Sequence, residues 1–242
     1  MNTLLLRLAG PLQAWGSFSK FNVRSTEREP TKSGVLGMIA SAMGRSRDEK
    51  IEDLNSLCFG VRVDQEGKIL NDYHMVNPGK AKDSTVTHRY YLTDAIFIVG
   101  LEGDDTLLRD VESAIKNPVY PLFLGRRACP PTQPILLGLR DGSLRDTLNK
   151  ESWWAADWYR KSAPQTVNLR LICDAEESDT AINYVRDRPI SYAQIHRKHG
   201  FRSVSLSNVG LIDSASDKNR SKYEQSTDHD PFTKLREFNK GG

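Results

Sequence analysis

The segment AIFIVGLEGDDTLLRDVESAIKNP, residues 95–118, changes periodicity part-way along. Its first seven residues are an apolar run of the kind that forms a buried strand. Behind the acidic pair Asp104 and Asp105, Leu107, Leu108, Val111 and Ile115 then recur at helical spacing, and Pro118 supplies a stop. A strand feeding an amphipathic helix is one half of an α/β unit. Upstream, TVTHRYYLTD (85–94) joins AIFIVGL into one long predicted strand, whose first half projects and whose second half is core. Downstream, VYPLFLG (119–125) reads as the returning strand.

The N-terminal half repeats the pattern. TLLLRL (3–8) is a buried strand ending at Gly10-Pro11, and Thr31 or Ser33 caps a helix through GVLGMIASAMG (34–44). KIEDLNSL (50–57) reads as a short amphipathic helix and CFGVRVD (58–64) as a strand, which the turn DQEGK joins to ILNDYHMV as a hairpin. NPGKAKDS (77–84) has the composition of an exposed loop. Strand, helix, strand, strand, helix, strand is the split βαβ order, so the predicted class is α+β with a ferredoxin-like, RNA-recognition-motif-like domain over 1–139. TVNLRLIC (166–173) and RSVSLSNV (202–209) alternate as half-buried strands, and ESWWAADWYRK (151–161) forms a short helix or a packed segment, giving a small β-rich lobe over 140–212. The polar tail 213–242 is expected to be mobile.

Composition narrows the function. The 242 residues contain 38% hydrophobic and 27% charged residues, as in soluble globular chains. No run approaches the roughly 18 apolar residues of a membrane span, and the N-terminus is too soon interrupted for a signal peptide, so the cytoplasm is the expected compartment. Cys58, Cys129 and Cys173 lie far apart without metal-ligand spacing and read as buried free thiols. The net charge is only +3, but residues 1–47 carry Arg7, Lys20, Arg24, Arg28, Lys32, Arg45 and Arg47 against Glu27 and Glu29. Further cations cluster at Arg126/Arg127 and across Arg186–Arg202, a segregation that favours a polyanion-binding face.

Candidate chemistry follows that bias. LGRRACPPTQP (124–134) offers Gly125 for close backbone approach and the forked donors of Arg126 and Arg127 for phosphates. PTKSG (30–34) presents Lys32 and Ser33 at a helix start, a general anion site. THRYYL (87–92) sets His88, Arg89, Tyr90 and Tyr91 together, a combination that stacks on unpaired bases, and Trp15 in QAWG is a core plug before it is a stacking platform. His74 and His88 flank the 77–84 loop with Tyr73 and Lys80 near by, which raises metal-independent RNA cleavage by general acid–base chemistry as the alternative function. His196 and His199 in HRKHG lack an acidic or thiol partner and sit among cations, and the glycines of 34–44 lack the nucleotide-cradle order. Neither a metal nor a cofactor is expected.

Several of these segments occur in a known order. LRLAGPLQAWG, PTKSGVLGMIASAMGRSRDE, DYHMV, STVTHRYYLTDA, YPLFLGRRACPPTQP and RDRPISY together resemble the CasD-type subunits of type I-E CRISPR Cascade complexes, across most of residues 4–192. The resemblance implies a non-catalytic subunit that caps the 5′ repeat-derived tag of the CRISPR RNA (crRNA), with a protruding thumb hairpin at about residues 74–95 and Arg89 as its base-displacing arginine. It implies that the glycine-rich loop is Leu124–Pro131, so that Gly125, Arg126 and Arg127 face crRNA, with Gln13, Lys32 and Ser33 less directly involved. Arg24, His74, His88 and Tyr91 join the candidate RNA-binding set with Trp15. Expected partners are crRNA, the backbone and large subunits of the complex, and target DNA through the complex. Members of a sister subtype cut precursor crRNA themselves; the first helix here has no Tyr or His, which favours the binding role.

Overall fold

The computed structural model describes residues 1–16, 19–20, 22–77, 85–164 and 166–212. The chain is mixed α and β with a mostly antiparallel sheet. Strand β1 (Asn2–Ala9) is followed by the two-residue strands β2 (Leu12–Gln13), β3 (Ser19–Lys20) and β4 (Val23–Arg24). Helix α1 (Lys32–Ala42), the single turn α2 (Glu52–Asn55), and strands β5 (Cys58–Gln65), β6 (Lys68–Val76), β7 (Thr85–Thr93) and β8 (Ile96–Gly103) come next. Then follow α3 (Asp105–Lys116), β9 (Leu136–Asp141), α4 (Leu144–Lys150), α5 (Asp157–Ser162), β10 (Thr166–Asp174), β11 (Ile182–Ser191) and β12 (Lys198–Ile212).

Seven strands form the main sheet in the order β11-β12-β10-β5-β8-β1-β9. Leu5 sits between Gly100 of β8 and Gly138 of β9, while Val61 of β5 pairs with Val99 on one side and Ile172 of β10 on the other. Alternation along these strands sends two sets of side chains to two faces. On one face Leu4, Leu6, Leu8, Phe59, Val61, Phe97 and Val99 pack with Val35, Leu36 and Ile39 of α1 and Leu108 and Val111 of α3. On the other, Leu5, Ile98 and Leu171 pack with Leu144 and Leu148 of α4 and with Trp153. Each fully buried leucine contributes about 1.5–3 kcal/mol relative to exposure. Gly100 allows α4 to sit this close, since a Cβ there would lie 2.5 Å from Leu144 Cδ1.

The caps agree with the sequence. Thr31 Oγ1 accepts the Gly34 N–H at 3.2 Å, and Asp104 accepts the N–H groups of Thr106 and Leu107 at 3.0 Å each. The segment 151–161 is both packed and helical. Arg62 is wholly buried, forks onto Asp64 at 2.7 and 2.9 Å, and donates to the carbonyls of Leu148, Glu151 and Ser152. Trp153 Nε1 donates to Asp64 O at 2.7 Å, which pins this segment to β5. The buried pair is tolerated because its donors are matched.

Five expectations are corrected. The long strand 85–101 breaks at Asp94, whose φ of +54° turns the chain from β7 into β8 in a different sheet; Gln65 Nε2 holds the Asp94 carbonyl at 2.5 Å. Strand β6 pairs with β7, from Lys68↔Thr93 to Val76↔Thr85, and not with β5, whose two edges are taken by β8 and β10. Residues 119–125 are not a strand: Pro118 and Pro121 lack ladder donors, and the edge beside β1 is filled by β9 instead. The helix expected over 50–57 shrinks to α2. Residues 140–212, expected as a separate lobe, supply β10, β11 and β12 to the same sheet through Leu171↔Arg62 and its neighbours. The tail 213–242, most of the loop 77–84 and Lys80 lie outside the described residues.

Candidate nucleic-acid interface

Strand β7 is the spine of a second, five-stranded sheet. It pairs with β6 along one edge; on the other it meets β2 at its base, through Gln13↔Leu92, and β4 further out, in parallel, through Val23↔His88 and Arg24↔Arg89. Pleating divides the β6/β7 ladder into two faces. Asp72, His74, Arg89 and Tyr91 share one; Asn71, Tyr73, His88 and Tyr90 share the other. The contacts respect that division. His74 Nε2 lies 2.6 Å from Asp72 Oδ2, His88 Nδ1 lies 3.2 Å from the Asn71 amide nitrogen, and the Tyr73 and His88 rings meet edge-on with centroids 5.6 Å apart.

The register sets Arg24 and Arg89 side by side on adjacent strands. Both are exposed, and neither has an ion-pair partner among the described residues. The 124–131 loop reaches this face from elsewhere in the chain. Arg126 Cζ lies 4.8 Å from the Tyr91 ring centroid, and its Nη2 donates to the carbonyls of Arg24 and Ser25 at 3.0 and 3.2 Å. Its Nη1 is shielded from solvent and has no hydrogen-bond partner among the described residues. Arg127, at the loop tip, is exposed.

The loop conformation depends on glycine. Gly125 has φ of +85°, and a Cβ there would lie 1.8 Å from Ala14 O. Three backbone bonds close the turn around it: Ala14 N–H to Leu124 O at 3.1 Å, Leu124 N–H to Cys129 O at 2.7 Å and Cys129 N–H to Arg126 O at 2.8 Å. Cys129 is buried behind the loop, and burial pushes its thiol up.

Arg24, Arg89, Gly125 and Arg126 therefore lie together, with Tyr91 buried beneath Arg126, Arg127 at the margin and His74 further along the hairpin. His88 faces the other way. The remaining candidates lie inside the molecule. Gln13 is fully buried; its Nε2 donates to Leu8 O at 3.2 Å and Ala95 O at 2.7 Å, and its Oε1 accepts from Trp15 Nε1 at 3.0 Å. Trp15 is a core plug beneath α1. The start of α1 is closed to an anion. The Lys32 N–H is taken by Asp187 Oδ2 at 2.8 Å, Lys32 Nζ reaches Leu57 O at 2.7 Å and Asp174 Oδ2 at 3.1 Å, and Lys32 is only 6% exposed. Tyr192 donates to Ser33 O at 2.5 Å.

Asn71 and Asp72, which orient the two histidines, were missing from the sequence candidates. The alternation of ILNDYHMV was the available signal. Nothing local in the sequence signals that Arg126 rides on Tyr91, since the contact spans separate sheets of chain. Among the described residues no group of three His, Cys, Asp or Glu side chains is placed to hold a metal ion.

Residues 3–205 match the family model described as CRISPR-associated protein (Cas_Cas5). The Cascade subunit CasD of Escherichia coli (strain K12) is 37% identical over 156 residues, which cover 56% of this chain and 70% of that protein. A solved chain described as a crystal structure of a Cas protein superposes with a TM-score of 0.68 at 37% identity, covering 86% of this chain and 94% of that one. A chain from a CRISPR RNA-guided surveillance complex superposes at 0.72 with 29% identity, covering 87% and 91%. A match over residues 3–205, together with superpositions nearly as long as the partners themselves, makes this chain a member of the Cas5 family of CRISPR-associated proteins.

Proposed function

We propose that the chain is the crRNA-binding subunit of a type I-E CRISPR surveillance complex, holding the 5′ repeat-derived tag of the crRNA without cutting it. The observation that carries this is the pairing of Arg24 with Arg89 next to Arg126 on Tyr91. Two like charges stand in adjacent register, and the carboxylate opposite Arg89, Asp72, is engaged by His74 instead, so the pair retains an excess of positive charge that a polyanion would neutralise. Backbone phosphates of a bent strand supply that negative charge. The β6/β7 hairpin is the thumb of this reading, with Arg89 displacing a base where tag meets guide. The order β5-β8-β1-β9 with α1 and α3 as crossovers supports a ferredoxin-like, RNA-recognition-motif-like core beneath it.

A binding role rather than a cleaving one is favoured by the hairpin's pleat. His74 and His88 project from opposite faces, so they do not flank one phosphodiester as acid and base. The buried Gln13, Trp15, Lys32 and Ser33 act as positioning residues. Partners in this reading are crRNA, the backbone and large subunits, and target DNA through the complex, in the cytoplasm; no helix among the described residues is long and apolar enough to cross a membrane.

The test compares purified chain, alone and with its complex partners, on RNA bearing the cognate tag and on scrambled RNA in EDTA. Preferential binding of intact tag RNA, weakened by Arg24→Ala and Arg126→Ala, is expected. Equal affinity for both RNAs sinks the reading. Site-specific cleavage lost in His74→Ala or His88→Ala sinks the non-catalytic part of it.

A further inference from the structure

The hairpin β6/β7 leaves the body through two short joints. The main-sheet ladder ends at Gln65↔Ile96 and the hairpin ladder begins at Lys68↔Thr93, so Glu66-Gly67 and Asp94-Ala95 belong to neither. The joints press on each other, since a Cβ on Gly67 would lie 2.8 Å from Ala95 Cβ. Between two ladders the angle is set by whatever takes up the backbone groups of the joint itself.

Two buried glutamines do so. Gln65 Nε2 donates to Asp94 O at 2.5 Å and Gln13 Nε2 to Ala95 O at 2.7 Å, while the Asp94 N–H reaches Pro11 O at 3.3 Å. The other end of each amide is also engaged. Gln65 Oε1 accepts the Ala156 N–H at 3.0 Å, just ahead of α5, and Gln13 Oε1 accepts Trp15 Nε1 at 3.0 Å. Trp15 follows Ala14, whose N–H holds Leu124 O, so Gln13 references the hairpin to the same turn that carries Arg126. Other ties at the joint are weaker. Glu66 pairs with Arg170 Nε at 3.0 Å, but its side chain is 49% exposed and screened by solvent. Strand β2 adds two pairs, one of them through Gln13 itself.

Small rotations at the joint are amplified along the strand. Arg89 lies five residues from Asp94, about 17 Å of strand, so a tilt of about 10° displaces it by about 3 Å, a full hydrogen-bond length. The Gly125 turn, closed on Ala14, stays with the body.

We propose that Gln65 is a positioning residue for RNA recognition: with Gln13 it fixes the angle of the hairpin, and through that angle the placement of Arg89 relative to the Arg126 loop. This rests on Arg89 contacting RNA, as in the function proposed for the chain. An amide suits the task because it donates and accepts at once, whereas a carboxylate lacks the donor and a thioether lacks the donor and all but a weak acceptor.

The experiment uses the full chain with Cys58→Ser, which removes the exposed native thiol, and nitroxide labels at Met75→Cys on the hairpin and Lys116→Cys at the end of α3. Met75 lies opposite Val86, eight residues from Asp94, so a tilt of about 10° moves its label by about 5 Å, which pulsed electron resonance reads as a distance. Gln65→Met is expected to raise the population of off-angle hairpins about 2- to 12-fold, the equilibrium equivalent of one hydrogen bond. Gln65→Glu is expected to match Gln65→Met while ionised, and to regain wild-type distances as the pH falls toward about 4, when the neutral acid donates its O–H to Asp94 O. The wild-type chain, scanned alongside, accounts for the carboxyls of Asp64, Glu66 and Asp94 and for His74 and His88 on the hairpin. RNA is then read with 2-aminopurine placed in turn at each base of the tag: the base whose fluorescence changes in Arg89→Ala is expected to change in Gln65→Met as well. The proposal is overturned if Gln65→Met leaves the label distances unchanged, if Gln65→Glu does not recover on protonation, or if the distances move while that base does not respond. If Arg89→Ala itself changes no base, the tag reading fails, and the label distances alone still decide whether Gln65 sets the hairpin angle.

Discussion

Replacing Gly125 by Ala tests the link between fold and interface at one atom. The added methyl meets Ala14 O at 1.8 Å, which is backbone and has no rotamer to give, and the residue must hold φ of +85°. The left-handed conformation costs an L-residue about 1–2 kcal/mol. Relieving the clash pushes Ala14 and the loop apart and lengthens the Ala14 N–H to Leu124 O bond, a further loss of about 0.5–1.5 kcal/mol. Together these give roughly 2–3 kcal/mol, or a fall in Tm of about 4–12 °C for a chain of this size. Displacement of the loop also lifts Arg126 off Tyr91 and away from Arg24 O, so tag-RNA affinity falls and its log–log salt slope flattens by about 0.7. Calorimetry and anisotropy at several salt concentrations read both effects. A variant with unchanged Tm and unchanged RNA affinity would show that the loop neither needs glycine nor positions Arg126, and the argument for the interface would fail with it.

Other outcomes follow from the same geometry. Arg89→Ala is expected to alter the base arrangement beside the tag in a chemical footprint more than it weakens total binding, because one contact is a small share of many; an equal loss of protection along the whole RNA counts against this. Arg202→Ala strips Asp187 and Asp174 of a buried cation and is expected to cost about 3–5 kcal/mol in urea unfolding, while a loss below about 1 kcal/mol would mean that Lys32 alone suffices. Burial pushes the Cys173 thiol up to about 12, so at pH 8 iodoacetamide is expected to modify it only after unfolding; rapid native-state labelling refutes the burial. Arg145 holds the Asp179 carboxyl well below its ordinary 3.8. The stabilisation is therefore fully present above about pH 4 and is lost as pH falls further, and Asp179→Asn is expected to flatten the acid limb of the stability curve.

The amino-acid order alone settled the elements whose signals are local. The periodicity of 104–118 and its acidic start made α3, Thr31 or Ser33 offered the cap of α1, and apolar runs marked β1, β5, β8, β10 and β12. It also placed the cations of the candidate interface, since Arg89 near Tyr91 and Arg126 after Gly125 are visible as neighbours. Pairing was another matter. Apolar runs state that a strand is buried but not against what, so β6 was assigned to β5 instead of β7, and residues 119–125 took the place that β9 fills. Exposure of a polar residue is likewise a tertiary property. Lys32 and Gln13 read as contacts because their types bind ligands, yet the folded chain spends both on its own carboxylates and carbonyls. The parallel alignment of Arg24 with Arg89, and the guanidinium of Arg126 lying on Tyr91, arise only when segments 35 and more residues apart are brought together, because side-chain electrostatics act over a few ångströms of space and not along the chain.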